Sequence, residues 1–540
     1  MSGRTRSLVA SESTGFEVAT GGLVALATLT LLAGFGGLFT VVPVTASLAG
    51  VTVATLVGAA LAVLGIGTLA AGATSAAGVV ETDPTFTPGV VTGAAFAFLT
   101  FVVAGLVASQ TLGLGTLWPV VAVVAAVAVG LATVATREDL GVTVSAGTFL
   151  LFAGTVVLTG VVGLGFQWQP EGFSAAFDGT IAVPLVAVTG GLLAVWTSAR
   201  AYGGFGARGR QTGAYTLVGA NAVAMLALLV LLVAFVAVRG FGPMTRGIRW
   251  GLFLDFYPYF HFYVPPIEQY VVVSGPKLWF YWPFVMEPYH PLGEAISGIL
   301  PAIVGTVWLV VGAVLFAVPL GVGAAVFLTE YAEQGRFTRL VEVSTNGLWS
   351  TPSIVYGLFG LAFLVPRLGN SKSILAGQLV LGFMLLPLVV ITSREALKSV
   401  PDEYRDASAA LGVGRWQTIR SVVVPAAMPG VITGVILGVG RIAGETAPIL
   451  LVTGQTPFPT RTPSVLGSFR FTATPPFVTN PELLEAASAL PYQLFAIISA
   501  GVGENLAFAW GTALVLLVVT LSFYAVGIVS RIYFRRKLTQ

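Results

Sequence analysis

The chain has 540 residues, 56% hydrophobic and 9% charged, with a formal net charge of +3. A mean hydropathy of +0.91 and so few charges exclude an ordinary soluble globule, where about 25% of residues are charged. With no cysteine, a disulfide framework, a thiolate metal site and a cysteine nucleophile are excluded. The pI near 9.1 follows from arginines in loops and at the termini, and no basic patch interleaved with aromatics suggests nucleic acid.

A bilayer core requires about 20 consecutive apolar residues per helix. Twelve runs meet this: 20–42, 46–71, 89–109, 113–135, 142–165, 181–198, 214–238, 301–328, 344–366, 372–393, 425–452 and 506–530. Their cores are Val, Ala, Leu, Gly and Phe without strand alternation, which argues against a β-barrel. The expected fold is an all-α, polytopic membrane protein of about twelve helices. The first run has no small-residue cleavage site after it and reads as an uncleaved helix.

Basic residues set the expected orientation. Arg4 and Arg6 precede the first run, and Arg531, Arg535, Arg536 and Lys537 follow the last. An even number of spans puts both basic ends on the cytoplasmic side of a cell membrane. The loops carrying Arg200, Arg208 and Arg210, and Lys398, Arg405, Arg415 and Arg420, fall on that same side. The loop with Glu171 and Asp178 falls outside. Loop 72–88, which carries no Lys or Arg, runs against the pattern, as do Arg246, Arg249, Arg461 and Arg470 in long outer segments. Long loops report orientation poorly.

The chain divides into two six-helix regions, 1–212 and 213–540. The first has short loops and helices rich in Gly, Ala, Val and Thr, which let membrane helices pack closely; its role is not legible. The suggestive polar residues all lie in the second. Segment 239–300 concentrates aromatics, including Trp250, Phe253, Tyr257, Tyr259, Phe262, Trp279 and Trp282. They read as an interfacial belt, or alternatively as a docking surface for an extracytoplasmic partner. His261 and His290 lie here beside Glu268 and Glu287, without zinc-ligand spacing, so no metal is expected.

Residues 400–430, VPDEYRDASAALGVGRWQTIRSVVVPAAMPG, form a polar interruption between two apolar runs. Pro401 suits a first helical turn, with Asp402 and Glu403 at the positive end of the dipole. Gly412 can end that helix in a left-handed conformation. The small Ala407, Ser408, Ala409 and Ala410 let another surface approach. A second segment puts Trp416, Ile419 and Val423 on one face, and Pro425 opens the next span. Asp406, Ala407 and Ser408, then Gly412 after three residues, and Val422, Val424 and Pro425 beyond, resemble the EAA loop of ABC-importer permeases. The departures are Asp for Glu, Ser for Ala, and Val for Ile and Leu. The resemblance implies that Asp406, Ala407, Ser408, Gly412, Trp416 and Pro425 couple to an ATPase. No G-x-x-x-x-G-K-[ST] occurs, so the chain has no P-loop. It is expected to have no catalytic site and no directly bound cofactor, with ATP and Mg used by a separate ATP-binding subunit dimer. A single coupling loop calls for a second permease subunit.

In GRIAGETAPIL, Arg441 and Glu445 are four apart and would share a helix face. A mid-bilayer charge costs about 2.5–3.5 kcal/mol on insertion scales, so two should face the bundle or a watery cavity. They read as a structural ion pair or as an oxyanion site. Arg can donate to two oxygens at once, and Glu445 can accept the proton of hydrogen phosphate while repelling an unprotonated dianion such as sulfate. Thr351, Pro352 and Ser353 interrupt the ninth run, as a kinked packing site or as cavity lining. Arg394 reads as a snorkelling anchor.

Segments 301–332, 346–360 and 440–454 resemble phosphate-specific ABC-importer permeases, the A-type more than the C-type subunit. The resemblance covers about 214–540 and leaves the first six helices outside. It implies a type I importer permease fold for the second region and a substrate path through Arg441 and Glu445. It also implies three partners beyond membrane lipid: the ATP-binding subunits, a C-type permease and an extracytoplasmic phosphate-binding protein. Alternatives are a permease for molybdate, tungstate or sulfate, a twelve-span secondary transporter, and a membrane sensor.

Overall fold

The computed structural model describes residues 15–170, 174–267, 269–289, 298–333, 335–454, 458–475, 477–499 and 506–539. The chain forms two compact units, Met1–Phe235 and Val236–Gln540. The boundary falls inside a long helix that begins at Gly206, some way beyond the 212/213 division read from the loops.

The N-terminal unit holds α1 (Gly15–Leu38), the short strands β1 (Ser47–Leu48) and β2 (Val51–Thr52), α2 (Val53–Ala76), α3 (Val90–Leu106), α4 (Trp118–Ala135) and α5 (Glu138–Leu158). Strands β3 (Gln167–Trp168) and β4 (Phe177–Asp178), α6 (Gly179–Tyr202) and the start of α7 (Gly206–Thr245) complete it. The Thr52 hydroxyl caps α2 by accepting from Thr55 N–H, and Asp178 caps α6 by accepting from Thr180 N–H. The Thr180 hydroxyl, donating at 2.5 Å, and then the Thr180 N–H hold the Asp178 carboxyl below its usual range.

Helices pack as nested pairs, α1 with α6, α2 with α5 and α3 with α4. The cause is legible in the glycines. Gly58, Gly65 and Gly72 recur every seven residues on α2, facing Gly147 and Gly154 of α5. A Cβ at Gly154 would sit 2.7 Å from the Ala62 nitrogen, and one at Gly65 would sit 2.9 Å from the Gly147 oxygen. The backbones touch, as small residues at membrane helix interfaces allow. Leu31, Leu61, Leu64, Leu150 and Val183 fill the core around this seam.

One end of this unit contains a buried ionic cluster. Glu138 pairs with Arg200 and, at 3.0 Å, with Arg210. It also accepts from the Thr85 hydroxyl at 2.5 Å and the Thr85 N–H at 3.0 Å. Asp139 accepts from Arg137 Nε at 2.9 Å and from the Ser75 hydroxyl at 2.8 Å. Glu138 and Asp139 are fully buried and Arg200 nearly so. Polar chemistry is therefore not confined to the second region. The cluster ties loop 77–89 to the starts of α5 and α7, which is how a loop lacking Lys and Arg is held beside two arginines.

The C-terminal unit begins with the end of α7, then β5 (Arg249–Val264) and β6 (Gln269–Tyr281). These pair antiparallel as a long hairpin with two register shifts. The aromatic segment is thus sheet, where no strand was expected. Tyr, Phe, Trp and Val favour extended backbone, and neither strand shows the polar alternation that marks a half-buried sheet. His290 and Glu268 lie outside the described residues, and among the described residues no group of three metal-ligating side chains occurs.

There follow α8 (Pro283–Met286), α9 (Leu300–Val326, extended by a wide turn to Tyr331), α10 (Arg336–Ser350), α11 (Ser353–Phe359) and α12 (Val365–Arg367). Next are α13 (Ile374–Lys398), α14 (Asp402–Ala410), α15 (Arg415–Thr418), α16 (Val424–Ala443) and α17 (Ala447–Val452). Strands β7 (Arg470–Phe471) and β8 (Val478–Thr479), then α18 (Leu490–Ser499) and α19 (Ala507–Thr539), end the chain. Helix α13 is central, packing Leu381, Leu385 and Val389 against Leu309, Val310 and Ile442.

Among the described residues eleven helices are long and apolar enough to cross a membrane, or up to twelve when one bent pair counts as a span. That pair is α10 with the helix 353–367, bent by 100°. The ninth apolar run is therefore a broken element rather than a single helix. Pro352 has no N–H to continue α10 and disfavours helical geometry at Thr351, which adopts ψ 132°. The eleventh also departs from expectation. Its helix runs unbroken from Arg415 to Ala443, with Pro425 inside it, and breaks at Gly444–Thr446 before α17.

Candidate functional site

Two breaks meet around Arg441. The first is the α10–α11 bend. The Leu348 carbonyl, freed at the end of α10, accepts from the Tyr356 hydroxyl at 2.9 Å and from Thr351 N–H at 3.1 Å. The Thr351 hydroxyl donates to the Gly347 carbonyl at 2.9 Å, and that of Ser350 at 3.0 Å. Hydroxyls thus satisfy the backbone that Pro352 leaves open. The second break follows Arg441, which sits in the last turn of α16 one turn past Gly438. Gly438 itself packs on Leu385 and Leu388 of α13.

Helices α11 and α17 then pack closely. A Cβ at Gly357 would lie 2.9 Å from the Pro448 Cα, and one at Gly360 would lie 2.7 Å from the Val452 side chain. The Lys372 ammonium donates to the Leu450 carbonyl at 3.0 Å, and Ser373 N–H to that of Val452 at 3.0 Å.

Arg441 and Glu445 do not share a helical face, because Glu445 lies in the break. Arg441 Nε is 3.8 Å from Glu445 Oε1, with the side chains 35% and 18% exposed. That distance is too long for a hydrogen bond, so this is a loose, partly open pair rather than a closed buried one. The guanidinium lies instead over the Trp349 ring, Cζ 4.3 Å from its centroid. Among the described residues Arg441 makes no side-chain hydrogen bond. Thr351 and Ser353 flank the bend half-buried, and Pro352 is exposed. Trp349 was not singled out from sequence; its place three residues before Pro352 of the predicted break was the available signal.

The polar loop forms two short helices. Pro401 is the cap of α14 rather than part of its first turn. Gly412 adopts φ +73°, the left-handed conformation expected of it. Ser408 points inward to Thr418, while Asp406, Ala407, Ala409 and Ala410 are exposed. Tyr404, Leu411 and Trp416 are exposed as well, at 52%, 84% and 62%. Ile419 and Val423 are buried, so the expected shared face holds for them, and Trp416 stands at its open edge. There it lines a groove of about 340 Å³ with Gly323, Phe327, Tyr331 and Val424.

The anchor of this loop is Arg405. It pairs with Glu330 at 2.7 Å and Asp402 at 3.2 Å, and donates to the Val400 carbonyl at 2.9 Å. Glu330, at the end of the α9 wide turn, is 7% exposed. A lone acid closing a 30-residue apolar stretch needs a partner, and that was the overlooked signal. Arg415 lies 5.0 Å over Tyr331, a second tie between loop and α9. Arg394 is no simple snorkelling anchor; it forms a 2.5 Å pair with Glu342 on α10.

Residues 317–531 match the family described as binding-protein-dependent transport system inner membrane component. The phosphate transport system permease protein PstA 1 of Mycobacterium tuberculosis is 37% identical over 201 residues, 34% of this chain and 66% of that protein. PstA of Haemophilus influenzae is 32% identical over 247 residues, 46% of this chain and 79% of that protein. A probable PstA of Methanocaldococcus jannaschii is 33% identical over 230 residues, 42% and 74% respectively. The chain thus spans just under two thirds of the Mycobacterium relative and more of the other two. Among solved structures, the inward-facing MetNI methionine ABC transporter is similar at TM-score 0.33 and 17% identity, over 43% of this chain and 94% of that one.

The chain belongs to the binding-protein-dependent transport inner-membrane family, as a multi-pass helical membrane protein. Within that family, the relatives it matches include permeases named for phosphate.

Proposed function

We propose that this chain is the permease subunit of an ATP-driven importer of inorganic phosphate. The observation that carries the reading is Arg441. Among the described residues its guanidinium stands without a hydrogen bond where two helices break, 3.8 Å from a carboxylate that does not close on it. A planar fork with unused donors suits a tetrahedral oxyanion. Glu445 accepts the proton that hydrogen phosphate retains and sulfate lacks. Thr351, Pro352 and Ser353 line the path at the opposing break.

The loop 402–425 is the coupling surface, with Asp406, Ala407, Gly412, Tyr404, Leu411 and Trp416 toward the ATPase and Ser408 bracing from within. Pro425 acts through the helix that carries the loop into α16. An ATP-binding subunit dimer supplies hydrolysis with ATP and Mg, this chain having no catalytic site. A C-type permease completes the path, and an extracytoplasmic phosphate-binding protein delivers substrate. Both termini face the cytoplasm.

The test is uptake of labelled phosphate and sulfate into vesicles holding the reconstituted complex. Arg441→Gln should abolish phosphate uptake while membrane level and ATPase docking persist. Glu445→Gln should lower phosphate uptake and weaken rejection of sulfate. The charge-swapped double variant, Arg441→Glu with Glu445→Arg, should stay inactive; normal transport by the swap would mean the pair only holds the bundle together.

A further inference from the structure

The site raises a question that Arg441 and Glu445 do not answer. A guanidinium four residues from a carboxylate ordinarily closes on it at about 2.7–2.9 Å. Here it stops at 3.8 Å and lies over the Trp349 ring. An aromatic face holds a cation through its quadrupole within about 6 Å, and it does so without an acceptor atom. All five N–H donors, which lie in the plane of the fork, therefore stay available at its edge. A carbonyl or carboxylate holding Arg441 equally firmly would consume donors that an anion needs.

Trp349 is itself held in register. The carbonyls of its neighbours Leu348 and Gly347 are tied by Tyr356, Ser350 and Thr351 hydroxyls, which fixes the last turn of α10 where the ring meets Arg441.

We propose that Trp349 is the positioning residue of the oxyanion site. It carries Arg441 on its ring face, holds the guanidinium off Glu445 and keeps the fork open for substrate. This rests on the oxyanion reading above. Removal of the ring lets Arg441 close on Glu445, so substrate must then compete with an internal carboxylate.

The experiment uses the full complex in vesicles, with labelled phosphate, sulfate and molybdate assayed side by side. Trp349→Met, of similar reach but no aromatic face, should raise the KM for the transported oxyanion about tenfold, the upper range of such contacts. Vmax should change far less. Trp349→Phe, which keeps a ring, should stay within about threefold of the parent. With Glu445→Gln already in place, Trp349→Met should raise KM little further, because the competing carboxylate is gone; Glu445→Gln in the parent should not lower KM. Trp349→Leu substitutes if the Met variant does not insert. A parent KM in the Met and Leu variants overturns the assignment, as does equal loss in Phe and Met, or a full KM rise of about tenfold when Trp349→Met is added to Glu445→Gln. A complex that takes up sulfate or molybdate instead of phosphate refutes only the phosphate reading, and the variants are then read on that anion. Uptake of none of the three overturns both.

Discussion

The Ser408 and Thr418 side-chain oxygens lie 2.7 Å apart, both in buried residues, and this contact joins the two helices of the polar loop. Thr418→Val should leave a buried hydroxyl on Ser408 without its partner, costing about 1–3 kcal/mol. The double variant with Ser408→Ala should cost less than the single one, since neither polar group then remains. Thermal unfolding of the purified protein, with limited proteolysis near 411–414, reads both. Additive losses would mean that the hydroxyls do not interact.

Gly412 has φ +73°, and nothing lies within 4 Å of where a Cβ would stand. Its requirement is conformational rather than steric. Gly412→Val should reduce copurification with the ATPase, because a β-branched residue resists this backbone region. Gly412→Asn, which tolerates it, should retain most of it. If Asn and Val behave alike, the left-handed turn is not what docking requires.

Gly357 and Gly444 make a matched pair. A Cβ at Gly357 meets the Pro448 backbone at 2.9 Å, while one at Gly444 meets nothing within 4 Å. Gly357→Ala should therefore cut uptake by forcing α11 from α17, and Gly444→Ala should be mild. Uptake normalised to membrane level decides, and the reverse order would discount the packed junction.

Arg405 compensates Glu330, which is nearly buried. Arg405→Gln should destabilise the loop by about 3 kcal/mol, the scale for a buried charge stripped of its partner, and lower ATPase recovery. Arg405→Gln with Glu330→Gln should recover part of the loss. Copurification and protease resistance of the loop are the measurements.

The Glu138–Arg200 pair predicts a loss confined to stability. Glu138→Gln should leave Arg200 buried and uncompensated, at about 3–5 kcal/mol, lowering the melting temperature. The KM for phosphate should not change if the N-terminal unit takes no part in recognition. A shifted KM in a correctly inserted variant would give that unit a role at the site.

Composition alone determined the class, because a chain this apolar must satisfy its backbone by helices in a bilayer. The left-handed Gly412 was also legible, since a glycine after a short amphipathic helix is a local signal. What the sequence could not settle is which groups meet. Glu138 finds Arg200 across 62 positions and Arg405 finds Glu330 across 75, distances at which no periodicity links residues. The four-residue spacing of Arg441 and Glu445 suggested a shared helical face. Tertiary structure broke the helix between them and set Trp349 against the guanidinium, because Pro352 and Gly444 remove helical continuity and packing then decides where the freed ends lie.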